Sequence, residues 1–236
     1  MVSQGPRIRP SPPQLLAALA GAVVFAAYPF AVEWAKAHFG IRPVAGVLFV
    51  LGLASLVVNR DSLPGPRSLW IAVRLTFLAL LAIAAIANAS LPLLAIPSLV
   101  YLVLSGAFVA SLRDGGSAIG SAARLIHPYV PDFIDPYCRK VTILWALLFA
   151  ANAVATAALA LFEPALWKVW TGGFVYLAMA VVSAVEFAVR KAWFRHYGDG
   201  PLDRLLAVLL PAENTWQGRR SKEHITRMRR ELGIEP

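Results

Sequence analysis

Two aspartates carry the clearest chemical signal in the sequence. Asp132 and Asp135 lie in the segment PDFID, so they are spaced as D-x-x-D. Two carboxylates at a membrane face can bind a Mg²⁺ ion that in turn holds a diphosphate, which is the basis of metal-dependent transfer. Enzymes with this chemistry use larger acidic sets, whereas two aspartates beside prolines also suit capped turns in a solvated loop. We favour the loop interpretation and predict no metal site and no cofactor.

Both aspartates belong to Ser111–Lys140, the longest polar interval between two strongly apolar segments. Glycines and prolines interrupt this interval, which predicts broken helix and turns. The loop is the first candidate for a functional site. Its charged or titratable residues are Arg113, Asp114, Arg124, His127, Asp132, Asp135, Arg139 and Lys140.

The segments on both sides of this loop are apolar enough to cross a bilayer. Hydrophobic residues make up 58% of the chain and charged residues only 15%, against about 45–50% and about 25% in soluble domains. Six segments have the roughly 17–25 apolar residues that a membrane helix needs, and each must be a helix because its backbone has no water to bond. They are Gln14–Val32, Pro43–Asn59, Leu69–Asn88, Leu91–Ala110, Val141–Phe162 and Val169–Val189.

The distribution of positive charge predicts the orientation of these helices. With six spans, 19 of the 22 lysines and arginines fall on one side, and only Lys36, Arg42 and Lys168 fall on the other. Cytoplasmic loops carry such an excess, so we predict that both termini and the loop are cytoplasmic. The net charge of +9 is explained by this bias, and we expect no nucleic-acid partner. The predicted fold is an all-α polytopic membrane domain over residues 1–197, with cytoplasmic interfacial helices beyond it.

Residues 198–236 form a basic tail that we predict to be amphipathic and ordered on the membrane face. Its first part has a leucine stripe with helical spacing, at Leu202, Leu205, Leu206, Leu209 and Leu210. Its second part suits a helix capped by Ser221 and ended by Gly233. The basic face of that helix suits anionic headgroups or an acidic protein. Its residues are Arg219, Arg220, Lys222, Arg227, Arg229 and Arg230.

Two formally charged side chains, Arg74 and Glu186, lie inside the predicted spans, each near a cytoplasmic end. An intramembrane charge is a functional hypothesis by default. The simpler interpretation is that Arg74 extends its side chain to the interface and that Glu186 pairs with Arg190, one turn along the same helix. The alternative is that Arg74 and Glu186 pair across two helices or contribute to a proton relay or substrate site.

Several segments resemble a bacterial family of uncharacterised multi-pass inner-membrane proteins. The most specific segments are YCRKVT, from Tyr137, and ENTWQGRRS, from Glu213. The others are AFVASL from Ala107, ARL from Ala123, EFAVRKAWFRH from Glu186, and GPLDRLL from Gly200. Genes of that family tend to lie among fatty-acid-like and aryl-polyene synthesis genes of the xanthomonadin type. The resemblance implies the bacterial inner membrane and a biosynthetic setting, without a chemistry.

Two functions from different classes remain open. The first is a non-enzymatic membrane accessory that docks acyl-carrier-linked synthesis of a lipid or pigment, or assists transfer of its product, because acyl carrier proteins are acidic and the cytoplasmic side is basic. The second is a membrane enzyme acting on a lipid or lipid-phosphate headgroup through the loop. Convergence of Asp114, Asp132 and Asp135 within metal-ligand distance would favour the enzyme. We favour the accessory.

Overall fold

The structure is a computed structural model that describes residues 12–58, 67–126, 131–194, 204, 208–209, 211 and 214–231. Every regular element in these residues is helical. The α-helices are α1 (Pro12–Phe39), α2 (Ile41–Val58), α3 (Arg67–Ala87), α4 (Leu91–Leu94), α5 (Ile96–Ala110), α6 (Ala118–Ile126), α7 (Asp135–Phe162), α8 (Pro164–Val169), α9 (Val175–Phe194) and α10 (Trp216–Glu231). Two 3-10 turns, Arg113–Gly115 and Asp132–Ile134, and a π-helical turn, Trp170–Phe174, complete them.

Three helical segments in the described part of the chain are long and apolar enough to cross a membrane: Leu91–Ala110, Asp132–Phe162 and Pro164–Phe194. Two shorter apolar helices cover Ile41–Ala54 and Ile71–Ala87. Large apolar side chains on these elements are exposed on the protein surface; Ile86 is 79% exposed and Phe162 is 78% exposed. Such surface suits hydrocarbon rather than water. The all-helical class is therefore confirmed for the described residues, and three helices have the length and apolar composition that a membrane protein needs.

Several predicted boundaries differ from the observed ones. The first helix continues past Val32 to Phe39, and the seventh begins at Asp135 rather than Val141. Hydropathy detects the apolar part of a helix, whereas the hydrogen-bonded helix extends further. With 28 residues and a rise of about 1.5 Å per residue, α7 is longer than a hydrocarbon layer of about 30 Å. The last residues of the predicted loop, up to Lys140, are thus helical.

The connection between the predicted spans that end at Phe162 and begin at Val169 is mostly helical. Phe162 ends α7, and α8 begins at Pro164, so the non-helical connection is Glu163 alone. Proline suits the first turn of a helix because its missing N–H would have no helical partner there. The turn at Ala89 and Ser90 lies where it is predicted, and Asn88 ends α3 with a left-handed φ of 52°.

The chain divides into two compact units. Of the described residues, the core unit contains those within Ser11–Ala110 and Ile143–Tyr176, and the loop unit those within Ser111–Thr142 and Leu177–Pro236. One cluster of buried apolar side chains in the core unit comes from α1 to α5 and consists of Val32, Ala45, Leu81, Ala84, Leu93 and Ile96. A second cluster joins Leu94 to Ala160 and Trp167.

At the junction of α4 and α5, side chains donate hydrogen bonds to two backbone carbonyls. The carbonyl of Leu93 would normally accept a hydrogen bond from residue 97, but Pro97 has no N–H to donate. The Tyr28 hydroxyl donates to the Leu93 oxygen at 2.9 Å instead. The indole Nε1 of Trp167 donates to the next carbonyl, that of Leu94, at 3.1 Å. These two bonds connect α1 and α8 to the break, as a broken helix in hydrocarbon requires.

Candidate functional site

Arg124 joins the two aspartates of the D-x-x-D segment. It lies on α6, Asp132 opens the second 3-10 turn, and Asp135 is the first residue of α7. The Arg124 Nη2 donates to the Asp135 oxygens Oδ1 and Oδ2 at 2.7 and 2.8 Å, and to Asp132 Oδ1 at 3.3 Å. These hydrogen bonds, chiefly that to Asp135, raise the pKa of the Arg124 guanidinium above its ordinary value. Arg124 thus pairs closely with Asp135 and more weakly with the exposed Asp132, and the three side chains together keep one negative charge.

The third candidate metal ligand, Asp114, belongs to a different turn. It is exposed in the 3-10 turn Arg113–Gly115 and has a left-handed φ of 51°. His127 lies outside the described residues. Within the described ranges, no three His, Cys, Asp or Glu side chains gather closely enough to hold a metal ion. The structure therefore brings Asp132 and Asp135 to Arg124 rather than to a third carboxylate.

Arg139, near the end of the loop, makes hydrogen bonds to the backbone at the start of the loop. Its Nη1 donates to the carbonyl oxygens of Leu112 at 3.2 Å and Gly116 at 2.8 Å, and it thereby holds the first 3-10 turn against α7. The adjacent start of α6 is capped by Ser117, whose hydroxyl accepts the Gly120 N–H at 3.1 Å. Arg113 and Lys140, the other basic residues of the predicted loop, are exposed.

Glu186 has two partners in the loop unit. Its Oε1 accepts a hydrogen bond from the Tyr137 hydroxyl at 3.2 Å and lies 3.7 Å from Nε of Arg190, one turn further along α9. This is the simpler of the two sequence interpretations of Glu186. Arg74 belongs to α3 in the core unit, and its pairing with Glu186 across helices stays a prediction.

Aromatic side chains hold the basic tail helix to the loop. The ring of Phe194 lies edge-on to Tyr137, with centroids 5.1 Å apart, and near Phe133 at 6.3 Å. The guanidinium of Arg220, on α10, lies 4.9 Å from the Phe133 centroid and 5.0 Å from that of Trp216. A guanidinium at this distance from a ring is attracted by its negative face. Sequence reasoning missed this cluster, although Tyr137, Phe194 and Trp216 lie in segments that carry the resemblance; Phe133 lies outside those segments.

The tail helix begins earlier than the sequence predicts. It starts at Trp216, and the Thr215 hydroxyl accepts the Gly218 N–H at 3.1 Å as an N-cap. Ser221, predicted as the cap, lies inside the helix and is buried, so that prediction is wrong. Threonine offers the same capping chemistry as serine, and Gly218, whose N–H it accepts, is buried.

The basic face of α10 is only partly described. Arg219, Arg220, Arg227 and Arg230 are exposed. The side chains of Lys222 and Arg229 lie outside the described residues, as do most of the predicted leucine stripe and the predicted stop at Gly233. We call Arg219, Arg227 and Arg230 the α10 basic face.

Comparison of the chain with protein-family models, with curated proteins and with solved structures found no match.

Proposed function

We propose that this chain is a multi-pass protein of the bacterial inner membrane, with six spans and both termini in the cytoplasm, that docks an acidic partner of lipid or pigment synthesis. The three long apolar helices and the two shorter ones support the membrane part of this proposal. The uneven placement of lysine and arginine supports the orientation. In this arrangement the loop and α10 face the cytoplasm.

One observation carries the docking role: Arg220 attaches α10 to Phe133 of the loop while the α10 basic face stays exposed. A basic helix that is anchored by one arginine presents its other arginines in a defined orientation. Complementary charge steers association and suppresses wrong partners. Because Arg124 offsets one of the two negative charges of Asp132 and Asp135, these carboxylates weaken the attraction to an acidic partner less than two unpaired ones would.

The partner that fits this surface is an acyl carrier protein. Such proteins are acidic, and the resemblance of the sequence to a family encoded among synthesis genes that use them supports this choice of partner. The chain then serves as an accessory that brings the carrier-bound acyl chain to the membrane, or assists transfer of the finished product. An enzyme acting on a lipid headgroup is the competing function, and it would need Asp132 and Asp135 to leave Arg124.

Lipid and pigment analysis of engineered strains separates the two functions. A strain whose chain carries Arg219→Glu, Arg227→Glu and Arg230→Glu should lose product as a deletion strain does. A second strain, carrying Asp132→Asn and Asp135→Asn, should keep it. The reverse pattern, with product lost only in the asparagine variant, would favour the enzyme. Immunoblotting of membranes checks that each variant accumulates to the level of the unaltered chain.

A further inference from the structure

A cavity in the core unit has features of a binding site that the docking function does not use. Its volume is about 350 Å³, and side chains of α1, α2, α3 and α5 line it. The wall is apolar on most sides, with Leu48, Leu78, Leu81 and Ile96 among the lining residues. An apolar cavity with a few polar groups is the usual form of a small-molecule site.

Arg74 supplies the charge at this cavity. It is half-buried, and within the described residues it is the sole charged side chain in the cavity wall. The other polar lining group is the Tyr28 hydroxyl, which donates to the Leu93 carbonyl. Charged residues at membrane depth are rare, and by default they mark ligand or ion sites.

Gly52 of α2 lies close to Leu78 of α3 at the cavity. A Cβ atom at this position would lie 2.9 Å from Leu78 Cδ2, so a larger side chain would push against Leu78 or into the cavity. Both residues line the cavity. Glycine here permits α2 to approach α3 without filling the space beside Arg74.

We propose that the cavity binds one acyl chain of an anionic lipid, with the phosphate or carboxylate at Arg74. A water-sized group occupies about 30 Å³, so the cavity has room for roughly ten methylene-sized groups. Position 74 is about 10 Å along α3 from Arg67 at 1.5 Å per residue, and a long arginine side chain can reach from this depth toward the headgroup layer. The apolar walls and the cation thus match the two ends of one amphiphile.

The proposal assumes that α1 to α3 lie in the bilayer, but it does not depend on α10 or on an acidic partner. Phospholipid and free fatty acid share the required chemistry, a charged oxyanion joined to a hydrocarbon chain. A lipid that merely surrounds the protein would lack the dependence on Arg74. The test therefore compares positions inside and outside the cavity.

Photo-crosslinking of the full chain in vesicles makes this comparison. A benzophenone amino acid replaces Phe77, which lines the cavity, or Leu75, which lies on the same helix with 56% exposure. The vesicles contain equal amounts of phosphatidylglycerol and phosphatidylcholine, and mass spectrometry measures the ratio of the two in the adducts. A second set contains phosphatidylcholine with palmitate, which distinguishes the fatty acid from the phospholipid.

At Phe77 we expect at least a fivefold preference for an anionic lipid in one of the two sets, and at Leu75 the ratio of the bulk membrane. Arg74→Gln should bring the Phe77 ratio to the bulk value, whereas Arg74→Lys should retain most of the preference. Gly52→Leu should reduce the yield of adducts at Phe77 and leave Leu75 unaffected. Bulk ratios at Phe77 in the unaltered chain, or a preference that persists in Arg74→Gln, would overturn the proposal. Circular dichroism and gel filtration select variants that keep the helical fold.

Discussion

The guanidinium carbon of Arg220 lies 4.9 Å from the centre of the Phe133 ring and joins the tail helix to the loop. The two residues belong to different chain segments of the loop unit, Phe133 to Ser111–Thr142 and Arg220 to Leu177–Pro236. The same guanidinium lies over Trp216 at 5.0 Å, so it is held between an aromatic side chain of the loop and one of its own helix. This contact determines how α10 presents its basic face.

Replacing Arg220 should release α10 from the loop. A cation–π contact at an exposed site contributes about 0.5–1 kcal/mol, so Arg220→Ala should increase amide hydrogen exchange in Trp216–Glu231 severalfold. Arg220→Lys should retain part of the protection, and Arg113→Ala, which removes an exposed arginine elsewhere in the loop, should have no effect on α10. Equal exchange in Arg220→Ala and the unaltered chain would show that other contacts hold the helix.

Tyr28→Phe should destabilise the core unit because it removes the hydroxyl that donates to the Leu93 carbonyl in place of the missing N–H of Pro97. We expect a loss of about 0.6–2 kcal/mol in the free energy of unfolding, the range between a typical interhelical hydrogen bond in a membrane and an unsatisfied buried acceptor. Thermal unfolding in detergent measures it. Tyr176→Phe is the matched control, since the buried Tyr176 hydroxyl has no hydrogen-bond partner among the described residues. Destabilisation by Tyr176→Phe equal to that by Tyr28→Phe would contradict this explanation.

Two adjacent glycines of the π-helical turn should respond differently to alanine. A Cβ atom at Gly172 would lie 2.5 Å from Cζ of Phe30, whereas at Gly173 no described atom lies within 4 Å. Gly172→Ala should therefore be the less stable of the two variants, because the half-exposed Phe30 ring must shift to admit the Cβ atom, and Gly173→Ala should be neutral or slightly stabilising. Thermal unfolding of the two variants side by side tests this. Equal unfolding temperatures would mean that Phe30 moves aside without cost.

Reporter fusions test the orientation that the charge distribution predicts. Fusions at the N-terminus and the C-terminus should report the cytoplasm, and an insertion at Glu163, between α7 and α8, should report the opposite side. A C-terminus outside the cytoplasm would overturn the proposed topology. It would also place α10 and the cytoplasmic acyl carrier protein on opposite sides of the membrane.

Sequence patterns predict the helical membrane class because hydrophobic length and backbone hydrogen bonding leave few alternatives. They place the turn at Ala89 and Ser90 because the apolar run is interrupted there. The start of α7 at Asp135 escapes them, since a helix that extends beyond the hydrocarbon has a polar first turn. Sequence patterns also fail to predict the break at Ala95, because it lies inside a continuous apolar run.

The contacts of the candidate site depend on packing that spacing does not reveal. The pattern D-x-x-D shows that Asp132 and Asp135 are neighbours, but their shared partner Arg124 reaches them only because α6 packs beside the start of α7. The cap at Thr215 illustrates a different difficulty. Thr215 and Ser221 are both acceptable N-caps, and only the observed helix decides between them.

Binding of an acyl carrier protein to the purified chain tests the central claim most directly. The chain is placed in nanodiscs of phosphatidylcholine, so that anionic lipid does not compete, and the probe is the acyl carrier protein of the organism that encodes the chain. Reversing Arg219, Arg227 and Arg230 to glutamate should weaken the affinity by roughly tenfold to a hundredfold, at about 0.5–1 kcal/mol for each charge pair. The control Arg42→Glu, an exposed arginine on the opposite side in the proposed topology, should bind as the unaltered chain does. An affinity that the triple reversal leaves unchanged, or an α10 basic face that binds phosphatidylglycerol vesicles but no carrier protein, would contradict the account.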